Sequence, residues 1–207
     1  LPTGKGMAAS TADIVAVIQA VATAIDEELE PEEIAEIAAG IEPTDGIFYP
    51  GIVQMNYMTG ELIKSYGNAP KMIIAMFDMG GSINTVEFHS EYHGHEDSPK
   101  ELLEAIDQLD VDFSPRQIAH VATLSALANQ KLVPKPHLEE IIKYSATLGA
   151  LGVNVAHSGT MVGVLFAPDE SMKHVMEAVE KIREKFPELE YFETERLISG
   201  GYDIEQR

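Results

Sequence analysis

The amino-terminal stretch Leu1-Pro2-Thr3-Gly4-Lys5-Gly6-Met7-Ala8-Ala9-Ser10-Thr11-Ala12-Asp13 constrains the fold more than any other part of the chain. Two glycines bracket a lysine, small residues follow, and Ile14, Ile18, Val21 and Ile25 then recur at helical spacing. This pattern predicts a loop feeding a helix over residues 10–28, started by a Ser10/Asp13 capping box. The helix is apolar or small around most of its circumference, so the expectation is a buried element. Loop amides gathered at the positive end of a helix dipole hold phosphate. The same residues also suit a plain capped helix, and the order Lys5-Gly6 departs from the Gly-Lys-Ser/Thr of phosphate-loop NTPases.

Charge narrows the partners. The net charge of -20 leaves no basic stripe to displace counterions, which excludes nucleic acid and argues equally against an anionic membrane surface. A nucleotide is still allowed, because amides, one lysine and Mg²⁺ can hold phosphates within an acidic protein. The longest apolar run, residues 72–77, is too short to cross a bilayer, and the expected location is the cytoplasm. With 207 residues, 45% of them hydrophobic, one large or two small domains can bury a core. The absence of cysteine excludes disulfides, thiolate metal sites and a Cys nucleophile. The chain opens on Leu1, not Met, and reads as a fragment or processed form.

Along the chain, Pro31 with Glu32 and Glu33 opens a second helix that ends at Gly40, with Ile34, Ile37 and Ala38 facing inward. The loop Glu42-Pro43-Thr44-Asp45-Gly46 follows, and Asp45 there fits an ordinary turn. Alternating runs at 52–57 and 61–66 predict a hairpin. Asn68-Ala69-Pro70 marks a boundary between domains 1–69 and 70–207. Beyond it come a strand at 71–77, a strand or extended loop at 82–88, helices at 99–109, 115–130 and 136–149, strands at 152–156 and 161–167, a helix at 169–186 and a strand at 189–194. That order suits a ferredoxin-like α+β sandwich. Ile118, Val121, Leu124 and Ala128 are expected as one core stripe, and Met172, Val175, Met176, Val179 and Ile182 as another. His93-Gly94-His95, in a segment rich in acids, fits a solvated loop better than a metal site, since no second ligand group stands at a defined spacing.

Three separated segments carry a family resemblance. Residues 2–12 resemble the phosphate-binding motif of the GHMP kinases, Pro-x-x-x-Gly-Leu-x-Ser-Ser-x-Ala, with Met7 for Leu and Ala9 for the first Ser. Gly152-Val153-Asn154-Val155-Ala156-His157-Ser158-Gly159-Thr160-Met161-Val162-Gly163 resembles the family's glycine-rich third motif, and Asp45 falls where many members place a catalytic aspartate. Together with Ala126-Leu127-Ala128-Asn129-Gln130, these segments look most like the L-threonine kinases of cobalamin metabolism.

The resemblance implies a two-domain fold, a partial amino-terminal ATP-binding domain followed by the sandwich. It implies an ATP- and Mg²⁺-dependent phosphotransferase acting on L-threonine or a similar small hydroxyl compound. By that resemblance Gly4, Lys5, Gly6, Met7, Ala8, Ala9, Ser10 and Thr11 cradle the phosphates, and Ser158, Gly159 and Thr160 close the site. Asp45 accepts the hydroxyl proton, and Ser10 with Glu36 binds the metal, Glu42 competing with Glu36. His157 reads as structural. A portion of the amino-terminal domain is missing by this comparison, so the chain alone is expected to be inactive or nearly so. Homoserine, mevalonate or sugar kinases, a diphosphate decarboxylase and a non-catalytic relative are the alternatives, and a homodimer is among the open oligomeric states.

Overall fold

The computed structural model describes residues 4–81 and 98–202. The candidate strand at 82–88 and the His93/His95 segment lie outside the described residues. The chain divides into two compact units, one of residues 8–69 with 198–202, the other of Gly4–Met7 with Pro70–Leu197. The fold class is α+β.

The first unit contains helices α1 (Ala9–Ala24) and α2 (Pro31–Ala39) and a hairpin of β1 (Ile52–Met55) with β2 (Leu62–Gly67). Helix α2 starts as its sequence dictates: Pro31 takes the first position, and the Glu33 carboxylate accepts the Glu30 N–H at 2.9 Å. Ile34, Ala35 and Ala38 are buried, whereas Ile37 faces out. The core joins Val15, Ile34, Ala35, Phe48 and Tyr49, with Leu62 and Tyr202 against it.

Helix α1 departs from expectation in two ways. It begins one residue early, because Ala8 adopts a left-handed conformation (φ 54) and turns the chain by itself, so Ser10 lies in the first turn and caps nothing. Its buried residues are Thr11, Val15 and Ala22, while Val17 and Val21 are 63% and 56% exposed and Ile25 is exposed too. A helix apolar on every side offers more than one stripe at helical spacing, so its pattern does not select the buried one.

The second unit is a four-stranded antiparallel sheet of β3 (Ile73–Asp78), β4 (Gly152–Val155), β5 (Met161–Phe166) and β6 (Glu190–Arg196), in the spatial order β4-β5-β3-β6. The first strand therefore lies between the third and fourth, which is the split βαβ arrangement. Helices α3 (Lys100–Asp107), α4 (Pro115–Asn129), α5 (Leu138–Thr147) and α6 (Met172–Lys185) complete it. Alternation along β3 sends Ile73, Ala75 and Phe77 into the main core with Leu138, Ile141, Val175, Val179 and Ile182, and Ile74 into a smaller cluster with Met72, Ala119 and Leu165. On α4 the buried residues are Ala119, Ala126 and Asn129 instead of the apolar stripe expected at 118, 121, 124 and 128. On α6, Val175, Val179 and Ile182 are buried with Ala178, while Met172 is exposed. Ser114 caps α4 by accepting the Gln117 N–H at 3.2 Å, while its own N–H donates to Asp112 Oδ1 at 3.0 Å. Antiparallel pairing of Asp78 with Met161 brings the end of β3 to the β4–β5 turn, which positions the candidate site.

Candidate active site

Within the second unit, the Gly4–Met7 loop is seated on the β4–β5 turn. The N–H groups of Thr160 and Met161 donate to Lys5 O at 3.1 and 3.3 Å. Gly159 makes the approach possible: a Cβ there would lie 2.1 Å from Lys5 O and 2.3 Å from Gly6 N. Gly6 is required twice over, by its φ of +78 and because a Cβ would meet Ala156 Cβ at 2.4 Å. The family-like residues Lys5, Gly6, Gly159 and Thr160 thus converge, although the two segments are far apart in sequence.

Lys5 is not a free cation. Its ammonium pairs with Asp78 and donates to Gly81 O at 2.8 Å. Asp78 closes strand β3, is 9% exposed, and accepts the Thr160 hydroxyl at 2.6 Å and the Gly80 N–H at 3.0 Å. Burial alone would push its carboxyl up, but the bonds from Lys5, Thr160 and Gly80 outweigh that and hold it below the usual carboxylate value. Asp78 is not among the candidate residues expected from the sequence. A carboxylate ending an apolar strand just before two glycines was the available signal.

Within the first unit, Thr11 and Asp45 are brought together. Thr11 is fully buried, and its Oγ1 accepts the Asp45 N–H at 3.1 Å and the Thr44 hydroxyl at 3.3 Å. Thr44 N–H in turn donates to Tyr57 O at 2.9 Å. The loop carrying Asp45 is therefore tied to the first turn of α1 and to the segment after β1, with the Asp45 side chain exposed. Ser10 is exposed on that first turn, whose amides receive no side-chain cap. Glu36 lies on an exposed face of α2. Glu42 is half-buried, and its Oε1 is buried with no hydrogen-bond partner among the described residues. No cluster of three metal-ligating side chains exists among the described residues.

Two family models match, GHMP kinases N terminal domain over residues 1–48 and GHMP kinases C terminal over residues 102–185. The chain belongs to the GHMP kinase family. Among the relatives of this GHMP kinase chain is the L-threonine kinase of Citrobacter freundii, 24% identical over an alignment of 216 residues that covers 99% of the chain and 73% of the relative. Another is the L-threonine kinase of Salmonella typhimurium, 26% identical over 170 residues, 80% of the chain and 57% of the relative. The mevalonate kinase of Methanococcus jannaschii has the same fold, with a TM-score of 0.66 at 18% identity over 95% of this chain and 66% of that one. The homoserine kinase of Cytophaga hutchinsonii aligns with a TM-score of 0.56 at 16% identity, over 97% and 67% of the two chains. The chain spans about two thirds of the length of these solved structures. None of the described helices is long and apolar enough to cross a membrane.

Proposed function

We propose that the protein to which this chain belongs transfers the γ-phosphoryl group of ATP to the hydroxyl of L-threonine. The observation that carries the phosphotransfer reading is the convergence of Lys5, Gly6, Gly159 and Thr160 in one glycine-lined seat. The threonine reading is supported by the two L-threonine kinases among the relatives.

The residues present fit the nucleotide. The first-turn amides of α1 lack a capping side chain, so they are donors suited to an anion. Gly4 and Gly6, both at positive φ, let the backbone approach closely without side chains. They also fit a divalent cation. The orphaned Glu42 Oε1 favours Glu42 over Glu36 as the metal carboxylate, with Ser10 as the hydroxyl ligand. One carboxylate with no all-protein cage suits Mg²⁺, which takes most of its shell from phosphates and water. When bound, the cation neutralises charge on the transferring phosphoryl group.

What the chain itself does is position and exclude. Thr11 holds the Asp45 backbone so that its carboxylate is presented as the acceptor of the threonine hydroxyl proton. Lys5 is pre-aligned by Asp78 and spends no entropy on ordering when phosphate arrives. Thr160 spends its hydroxyl on Asp78, so its part in the site is played by backbone and by Lys5. In phosphoryl transfer such positioning and charge placement supply most of the rate. Measuring ADP release by the intact protein with Mg²⁺-ATP and L-threonine, L-serine, L-homoserine, mevalonate or galactose tests the reading. Threonine-dependent release is expected, and release with another acceptor only would overturn the threonine assignment.

A further inference from the structure

One buried cation has no part in that chemistry. Lys135 is 4% exposed, in the connection between α4 and α5, and prolines on both sides limit its backbone. The side-chain amide of Gln130 grips it further, accepting the Lys135 N–H at 2.6 Å and donating to Lys135 O at 2.9 Å. So fixed, the Lys135 ammonium donates to Ala156 O at 3.1 Å. Asn129, the last residue of α4, donates to the same carbonyl at 3.3 Å and to His157 O at 3.2 Å. Ala156 is the residue whose Cβ occupies the space beneath Gly6, and its N–H returns to Met161 O at 3.0 Å.

These contacts form one continuous path from Gln130 through Lys135 and Asn129 to the β4–β5 turn and on to the glycine loop. Packing alone does not explain a lysine here, since a methionine fills comparable volume without burying a charge. A carbonyl held by a cation is held more strongly than by a neutral donor, and this one belongs to Ala156, whose Cβ fills the space under Gly6.

We propose that Lys135 and Asn129 are positioning residues that fix the β4–β5 turn so that the Gly4–Met7 loop is held in its nucleotide-ready form. The nucleotide part of this proposal rests on the kinase reading above; the turn-fixing part does not.

The test is amide hydrogen exchange together with MgATP titration on the intact protein, for wild type, Lys135→Met and Asn129→Ala. The amides of Thr160 and Met161, which hold Lys5 O, are expected to exchange at least about tenfold faster in both variants, the factor for losing one strong hydrogen bond. Exchange across α6 is expected to stay unchanged, and the ATP dissociation constant to rise about tenfold with turnover at saturating ATP retained. Should Lys135→Met not fold, Asn129→Ala decides the same question. Unchanged exchange at the turn, or acceleration equal to that in α6, would overturn the proposal. Faster exchange at the turn with unaltered ATP affinity would overturn its nucleotide part. If wild type binds no nucleotide, the kinase reading fails while the exchange data still judge the turn.

Discussion

Thr160 donates its hydroxyl proton to Asp78 Oδ1 at 2.6 Å across 82 positions of sequence, and the same carboxylate is the counter-ion of Lys5. One acidic side chain at the end of β3 therefore joins the glycine loop, the β4–β5 turn and the Gly80–Gly81 bend. Replacing Asp78 by Asn leaves the Lys5 ammonium without its counter-ion, and the expected loss is roughly 2 kcal/mol at neutral pH. Urea unfolding of the two proteins at pH 7 checks this.

The pH dependence of that loss has a definite sign. The folded Asp78 carboxyl titrates below its ordinary value, so its contribution is fully present above the unfolded value of about 3.9 and disappears as pH falls through the lower folded value. The stability gap between wild type and Asp78→Asn is expected to be constant from pH 7 to 5 and to shrink toward pH 3.

Lys135 has a dependence of the same sign in an alkaline window. Burial lowers its pKa from 10.5 to about 8. Between those values the unfolded chain binds more protons than the folded one, so this group adds stability as pH rises through that window. The gain is expected to reach roughly 3 kcal/mol by the 1.36 kcal/mol per unit relation. Thermal unfolding of wild type against Lys135→Met from pH 7 to 10.5 is expected to show wild type gaining on the variant.

Gly159→Ala and Gly81→Ala separate close approach from backbone freedom. At Gly159 a methyl group collides with the Lys5 carbonyl and the Gly6 amide, backbone atoms with little room to move, and a loss of about 3 kcal/mol is expected. At Gly81 no atom of the described residues stands within 4 Å of an added Cβ and the φ of +75 is what resists, so about 1 kcal/mol is expected. Equal losses in melting experiments would contradict the seating of the loop on the turn.

How these elements were encoded differs from residue to residue. The apolar run at 72–77, the helix starts at Pro31 and at Pro115 and the alternating hairpin are local signals, and each is found near its expected place. The start of α1 was misread because Ala8, a residue with no special turn chemistry, supplies the left-handed turn, leaving the Ser10 hydroxyl uncommitted to capping. The burial of Lys135 and the role of Asp78 depend on partners tens of residues away, Ala156 for one and Lys5 with Thr160 for the other. No local period reports such pairs. Gly6 and Gly159 were visible as motif glycines, but only the fold shows that each makes room for the other's strand of chain.

Thr11 links fold to chemistry in the first unit. Thr11→Val removes the acceptor of the Asp45 N–H and is expected to cost about 1 kcal/mol of stability and roughly fivefold in turnover. Thr11→Ser keeps the hydroxyl and is expected to restore turnover. Steady-state rates for the pair check the inference that this hydroxyl positions Asp45.

Threonine-dependent ADP release from Mg²⁺-ATP, measured on the intact protein beside Asp45→Asn, tests the acceptor and the proton-accepting role of Asp45 together. Release is expected to require L-threonine and to fall by at least about a hundredfold in the variant, the scale of a lost proton acceptor. Threonine-dependent release that survives unchanged in Asp45→Asn would contradict the role given to Asp45, and no release with any of the five acceptors would contradict the proposed phosphotransfer to these hydroxyl compounds.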